Sequence, residues 1–216
     1  MDIFFQKAKV LVALVVIVNP LSVIPTYITL TRDYTKAQRA STARLAASAV
    51  AMVLVISTLL GAHILGFFGI SIAAFRVGGG ILILMMGLSM LQARQSRAKQ
   101  TPEETAEAED KATIGIVPLG IPLLAGPGAI STAIVYAEQA KSWIDTGFTV
   151  ACCALVGVAV WAALRLAEPI GNALGRTGLN IATRVMGLLL AALAIEIISS
   201  GLRALLPGLA SALHQG

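Results

Sequence analysis

What most limits this chain is the length of its uncharged stretches. Residues 10–31, 77–93, 112–137 and 146–164 contain no Asp, Glu, Lys or Arg, and within 45–75 the only ionisable side chain is His63. A hydrocarbon core about 30 Å thick takes roughly 20 helical residues at 1.5 Å each, so runs of this length predict membrane-spanning helices. Residues 179–206 continue the pattern, interrupted by Arg184, Glu196 and Arg203. The stretch 45–75 is too long for one span, and Gly61, Gly66 and Gly69 supply a turn inside it. Six spans follow, at 9–31, 42–65, 70–92, 113–138, 146–166 and 180–203. Hydrophobic types at 57% and charged residues at 12% of 216 residues exclude an ordinary soluble domain, which carries about 25% charge.

The remaining charge is informative by its position. A formal net charge of +5 could suggest nucleic acid, but the basic residues fall between apolar runs and form no patch with interleaved aromatics, so nucleic-acid binding is rejected. Lys7 and Lys9 before an apolar run resemble a secretory leader. Asn19-Pro20 makes a poor cleavage site and the apolar character resumes at once, so the segment reads as a retained first helix. Arg32, Lys36, Arg39, Arg44, Arg94, Arg97, Lys99, Lys111, Arg165 and Arg176 fall on one side of the six spans, and Lys7, Lys9, Lys141 and Arg203 on the other. The excess marks the connections after spans 1, 3 and 5 as cytoplasmic and both termini as periplasmic. Cys152 and Cys153 are adjacent within an apolar run, which gives neither a disulfide framework nor metal-ligand spacing; they read as lipid-facing or packing residues.

The two halves resemble each other. Ser71-Ile72-Ala73-Ala74-Phe75-Arg76-Val77-Gly78-Gly79 in span 3 matches Asn180-Ile181-Ala182-Thr183-Arg184-Val185-Met186-Gly187 in span 6 with one residue gained or lost, which makes Arg184 the counterpart of Arg76. Asn19-Pro20-Leu21-Ser22 in span 1 corresponds to Gly126-Pro127-Gly128-Ala129 in span 4. Three spans per half is an odd number, so the second copy must be upside down. The expected organisation is an all-α membrane protein, with a first three-helix repeat at 1–95, a cytoplasmic linker at 96–111 and an inverted three-helix repeat at 112–216.

Proline inside a span removes a backbone donor and clashes with the preceding turn. Asn19-Pro20 and Gly126-Pro127 also read as an N-cap followed by proline at the first helical position, the way a new helix starts. The competing account is a proline kink satisfied by neighbouring helices. Repetition at equivalent positions favours the first account, with helices 1 and 4 discontinuous near mid-membrane.

These same residues carry a family resemblance. Asn19-Pro20-Leu21-Ser22-Val23-Ile24-Pro25, then Pro122-Leu123-Leu124-Ala125-Gly126-Pro127-Gly128-Ala129-Ile130-Ser131-Thr132, and the paired Arg-Val-x-Gly motifs resemble the MarC family of bacterial inner-membrane proteins over essentially the whole chain. The resemblance implies six spans in two inverted triplets and a kinship with SnatA, a neutral amino-acid transporter of that family that accepts glycine and alanine.

The chemistry of the breaks agrees with such a substrate. A restarted helix offers free N–H groups and a positive dipole end to a carboxylate, and the preceding half-helix offers carbonyls to an ammonium group. Gly126 and Gly128 allow close backbone approach. The expected substrate-binding set is Asn19, Pro20, Ser22, Thr26, Gly126, Pro127, Gly128, Ser131 and Thr132. Each hydroxyl has an alternative use, a bond to the carbonyl one turn back.

Charges inside spans need a reason, since each costs about 2.5–3.5 kcal/mol at the centre on insertion scales. Snorkelling explains Arg76 and Arg184. Counting along span 6 puts Glu196 at roughly the depth of Arg76, so an Arg76–Glu196 ion pair is expected to tie the repeats together, with Arg203 as rival partner. Proton coupling is the alternative role for Glu196, and His63 reads as an interfacial residue.

No HExxH, metal cluster, phosphate loop or close intramembrane carboxylate pair supports an enzyme, and no cofactor is implied. The expected function is a secondary transporter or exporter of small neutral amino acids by alternating access. Its competitor is a non-transporting membrane scaffold or accessory subunit of the cell envelope. The partners are a small neutral amino acid, the lipid bilayer and, where subunits associate, further copies of the chain.

Overall fold

The computed structural model describes residues 2–92, 124–140 and 142–208. All regular structure among them is helical: α1 (Asp2–Val18), α2 (Pro20–Leu30), α3 (Lys36–Phe67), α4 (Ile72–Leu91), α5 (Pro127–Glu138), α6 (Trp143–Arg165) and α7 (Ala167–Leu205). Five stretches are long and apolar enough to cross a membrane: Ala8–Leu30, Lys36–Phe67, Ile72–Leu91, Trp143–Arg165 and Thr177–Leu205. Of the expected fourth span only α5 is described; residues 113–123 and the 96–111 linker lie outside the described residues.

The helix ends follow from local chemistry. Thr35 opens α3 with a capping box, its hydroxyl accepting from the Gln38 amide while the Gln38 side chain accepts from the Thr35 amide. Ser71 and Ser142 cap α4 and α6 by accepting from Ala74 and Asp145 amides. The α3–α4 turn comes at Gly69, with φ +68, where the Gly69 and Ile70 amides return to Gly66 and Leu65 carbonyls at 3.1 and 2.9 Å. That is a Schellman ending, and it requires the positive φ. Gly61, expected to share in this turn, instead lies buried within α3, where Ile134 of α5 packs against it. Gly175, with φ +59, breaks α7 just ahead of its membrane segment.

The centre of the molecule is α1–α2 and α5. The most apolar part of Ala8–Leu30 is 50% buried against 22% for that of Thr177–Leu205, which sets the first span inside and the last at the periphery. Leu14, Ile17, Val18, Val23 and Ile24 pack with Val50 and Leu54 of α3, Ile83 of α4, Ala129 and Ala133 of α5, and Val156 and Val160 of α6. Cys152 and Cys153 belong to this core, so packing is their role; Thr58 Oγ1 lies 3.4 Å from Cys153 Sγ. Leu59, Leu60, Ile64, Leu188 and Leu189 are exposed, as lipid-facing positions are. His63 is exposed, about one turn before the end of α3.

Without a hydrophobic drive between helices in lipid, small residues set the tightest seams. Helices α4 and α7 run antiparallel with backbones nearly touching. A Cβ at Gly87 would meet Gly187 O at 2.9 Å, one at Gly80 would meet Ile198 Cγ1 at 2.5 Å, and one at Gly201 would meet Ala73 O at 2.9 Å. At one end of the bundle Arg39 ties two connections: it pairs with Glu168 at the start of α7 and donates to the Thr31 and Arg32 carbonyls at 2.9 and 3.0 Å. The connections after spans 1 and 5 therefore lie at the same end.

Candidate functional site

The first span is interrupted at a single residue. Asn19 sits between α1 and α2 with φ 48 and ψ 70, and it is the one non-glycine at positive φ among the described residues. Asparagine tolerates this left-handed region better than most residues. Its amide still returns to Val15 O at 2.9 Å, and its carbonyl accepts from the Ser22 amide at 3.2 Å. Pro20 then starts α2 with no donor to lose.

The Asn19 side chain is buried, at 1% exposure. Its Nδ2 donates to Met90 Sδ at 3.7 Å, and its Oδ1 has no hydrogen-bond partner. An unsatisfied buried acceptor costs roughly 1–3 kcal/mol, so the position asks for a donor. No side chain caps the α2 N-terminus, and no acidic residue sits in its first turn.

The second break has the same form with different parts. Gly126, in extended conformation, precedes Pro127 at the start of α5, again with neither a side-chain cap nor an acid in the first turn. The Ala129 and Ile130 amides both return to Gly126 O, at 2.9 and 3.2 Å. Pro127 has no N–H, which leaves Gly128 as the first-turn donor outside those bonds. Two uncapped helix starts inside an apolar core are ready anion sites.

Helix α4 brings the breaks together. A Cβ on Gly128 would meet Ile83 Cγ1 at 2.9 Å, Met86 Sδ at 3.4 Å and Ile17 Cγ2 at 3.7 Å. Ile17 lies two residues before Asn19, and Met86 lies one turn before Met90, the partner of the Asn19 amide. Ser131 is buried on the same face of α5 against Gly79, where an added Cβ would come within 1.7 Å of its hydroxyl oxygen.

Of the expected substrate-binding set, Asn19, Pro20, Gly126, Gly128, Ser131 and Thr132 are buried around this junction, and Pro127 is exposed. Two hydroxyls make local bonds: Ser22 Oγ donates to Asn19 O and Thr132 Oγ1 to Gly128 O, both at 2.9 Å. Thr26 is half-buried about two turns beyond the break. Sequence reasoning missed Ile83, Met86 and Met90, because an apolar residue in an apolar span carries no signal of its own.

The expected Arg76–Glu196 ion pair does not form. Arg76 Nη1 donates to Ser200 Oγ at 3.4 Å, its Nε is buried without a partner, and Gly201 packs against its Cβ. Those partners lie one turn past Glu196, which sits on the exposed face of α7, as does Arg184. Along α7 the residues facing Arg76 are about one turn from Glu196, and Glu196 itself is turned to a different face. The rival Arg203 donates instead to Ser199 O at 3.4 Å. Among the described residues the salt bridge that does form is Arg39–Glu168.

Comparison with known proteins gives a family. The MarC family integral membrane protein model matches residues 4–206. The UPF0056 membrane protein YhcE of Escherichia coli is 43% identical over 202 residues, covering 93% of this chain and 94% of that protein. Its counterpart YvbG of Bacillus subtilis is 35% identical, with 94% and 96% covered, and MJ0972 of Methanocaldococcus jannaschii is 36% identical, with 94% and 89% covered. No solved structure matches the chain. With the family model and these relatives spanning nearly its whole length, the chain belongs to the MarC family of integral membrane proteins.

Proposed function

We propose that this multi-pass membrane protein is a secondary transporter of small neutral amino acids, of the glycine and alanine type, working by alternating access across the bacterial inner membrane. The observation that carries the reading is the junction itself. Two uncapped helix starts meet inside the core beside a buried Asn19 oxygen that lacks a partner. A zwitterion answers both needs at once: its carboxylate suits the helix starts, and its ammonium group suits the Asn19 oxygen. Close packing of Ile83, Met86 and Ile17 around Gly128 favours a substrate with little or no side chain. Kinship with SnatA is part of this reading, and neither a catalytic step nor a cofactor enters it.

The inverted repeat belongs to the same proposal. Exchange of the halves maps α3 onto α6 and α4 onto α7, and these are the two most extensive helix pairs in the bundle. The same exchange maps the packing of α3 on α5 onto that of α6 on α1–α2, and both contacts exist. The glycine seam then gives the halves a surface on which to move. The basic residues around Arg39 and Arg165 mark the cytoplasmic end, with both termini periplasmic.

Proteoliposomes holding the purified protein test this reading. Uptake of labelled glycine or alanine is expected to saturate and to be competed by the unlabelled amino acid. A scaffold or accessory subunit would give only the linear leak of protein-free vesicles.

A further inference from the structure

We propose that Met86 and Met90 of α4 are the specificity-determining residues of this site, the wall against which the substrate's side chain packs. The inference rests on the amino-acid transport reading and adds to it the residues that set substrate size. The two methionines stand one turn apart on α4, each at one of the breaks. Met90 Sδ accepts from the Asn19 amide at 3.7 Å, and Met86 Sδ lies 3.4 Å from where a Gly128 Cβ would stand. Both are nearly fully buried, at 6% and 3% exposure, and Ile83, one turn before Met86, is completely so.

The chemistry of the residues suits that role. A substrate whose ends occupy the two breaks has its α-carbon between them, opposite the helix face that joins them. A thioether is a weak acceptor, so the contact with the Asn19 amide holds Met90 only loosely and leaves its side chain free to adjust. An unbranched side chain with three rotatable bonds fills the wall around glycine and yields by rotation to the methyl group of alanine. Ile83, stiff at χ1, closes the end of the wall beside Gly128 and does not yield.

The test is competition of labelled L-alanine uptake in proteoliposomes by glycine, L-alanine, L-valine and L-leucine. Wild type should be competed by the two smallest. The double variant M86A/M90A should let leucine compete about tenfold better than in wild type, the discrimination a few methylenes give in an apolar pocket. The volume-conserving M86L/M90L should keep the wild-type order. Should the alanine variant fail to fold, wild type labelled with [13C-methyl]methionine supplies a second readout, its signals assigned with M86L and M90L. Alanine should then shift the Met86 and Met90 methyl resonances and leave that of the exposed Met52 in place. An active M86A/M90A with an unchanged order of competitors, or Met86 and Met90 signals unmoved at saturating alanine, overturns the proposal. Wild type without saturable alanine uptake overturns the transport reading and this inference with it.

Discussion

Gly87 of α4 and Gly187 of α7 face each other so closely that a Cβ on the first would lie 2.9 Å from the carbonyl oxygen of the second, and a Cβ on the second 2.8 Å from the carbonyl oxygen of the first. No side chain fits between them, because the atoms in the way are backbone. Gly87→Leu should therefore force α4 and α7 apart, at a cost of about 1–3 kcal/mol for overpacking. Thermal unfolding in detergent reads this as a lowered midpoint. Gly66→Ala, where nothing lies within 4 Å, is the control and should leave the midpoint unchanged or slightly higher.

Asn19 separates backbone from side-chain demands. Glycine accepts its positive φ without strain, so Asn19→Gly should keep the break and the fold while deleting the unpartnered oxygen. Stability should change by less than about 1 kcal/mol, since removing an unsatisfied acceptor offsets the entropy cost of glycine. Alanine uptake should fall severely. Wild-type uptake by this variant would remove Asn19 from the site.

Arg39 and Glu168 should be unequal partners. The pair is solvent-exposed, with side chains 24% and 61% accessible, so Glu168→Gln should cost at most about 1 kcal/mol. Arg39 also serves the carbonyls at the end of α2, from Thr31 and Arg32. Arg39→Ala removes the side-chain donor from both carbonyls, leaving Thr31 O with the Tyr34 amide alone, and should cost more than Glu168→Gln, as measured by the two unfolding midpoints.

The breaks were legible in the sequence because proline acts locally: Asn19-Pro20 and Gly126-Pro127 state where a helix starts without reference to any neighbour. The five long helices were legible for a similar reason, the absence of charge over the width of a bilayer. Packing is different in kind. Gly61 looks like Gly69 on paper, yet one receives Ile134 in mid-helix and the other supplies the positive φ of a turn. Counting along spans 3 and 6 sets Arg76 opposite Glu196, but a helix must also be rotated correctly, and uniformly apolar spans give that rotation no sequence signature. Met86 and Met90 were invisible on the same ground.

The central claim is that the two breaks form one site for a small zwitterion, and equilibrium binding of labelled alanine to the purified protein tests it most directly. Saturable binding should be lost both in Asn19→Gly, which alters the first break, and in Gly128→Leu, which fills the second against Ile83. Undiminished binding in both folded variants, or none in wild type, would contradict the account.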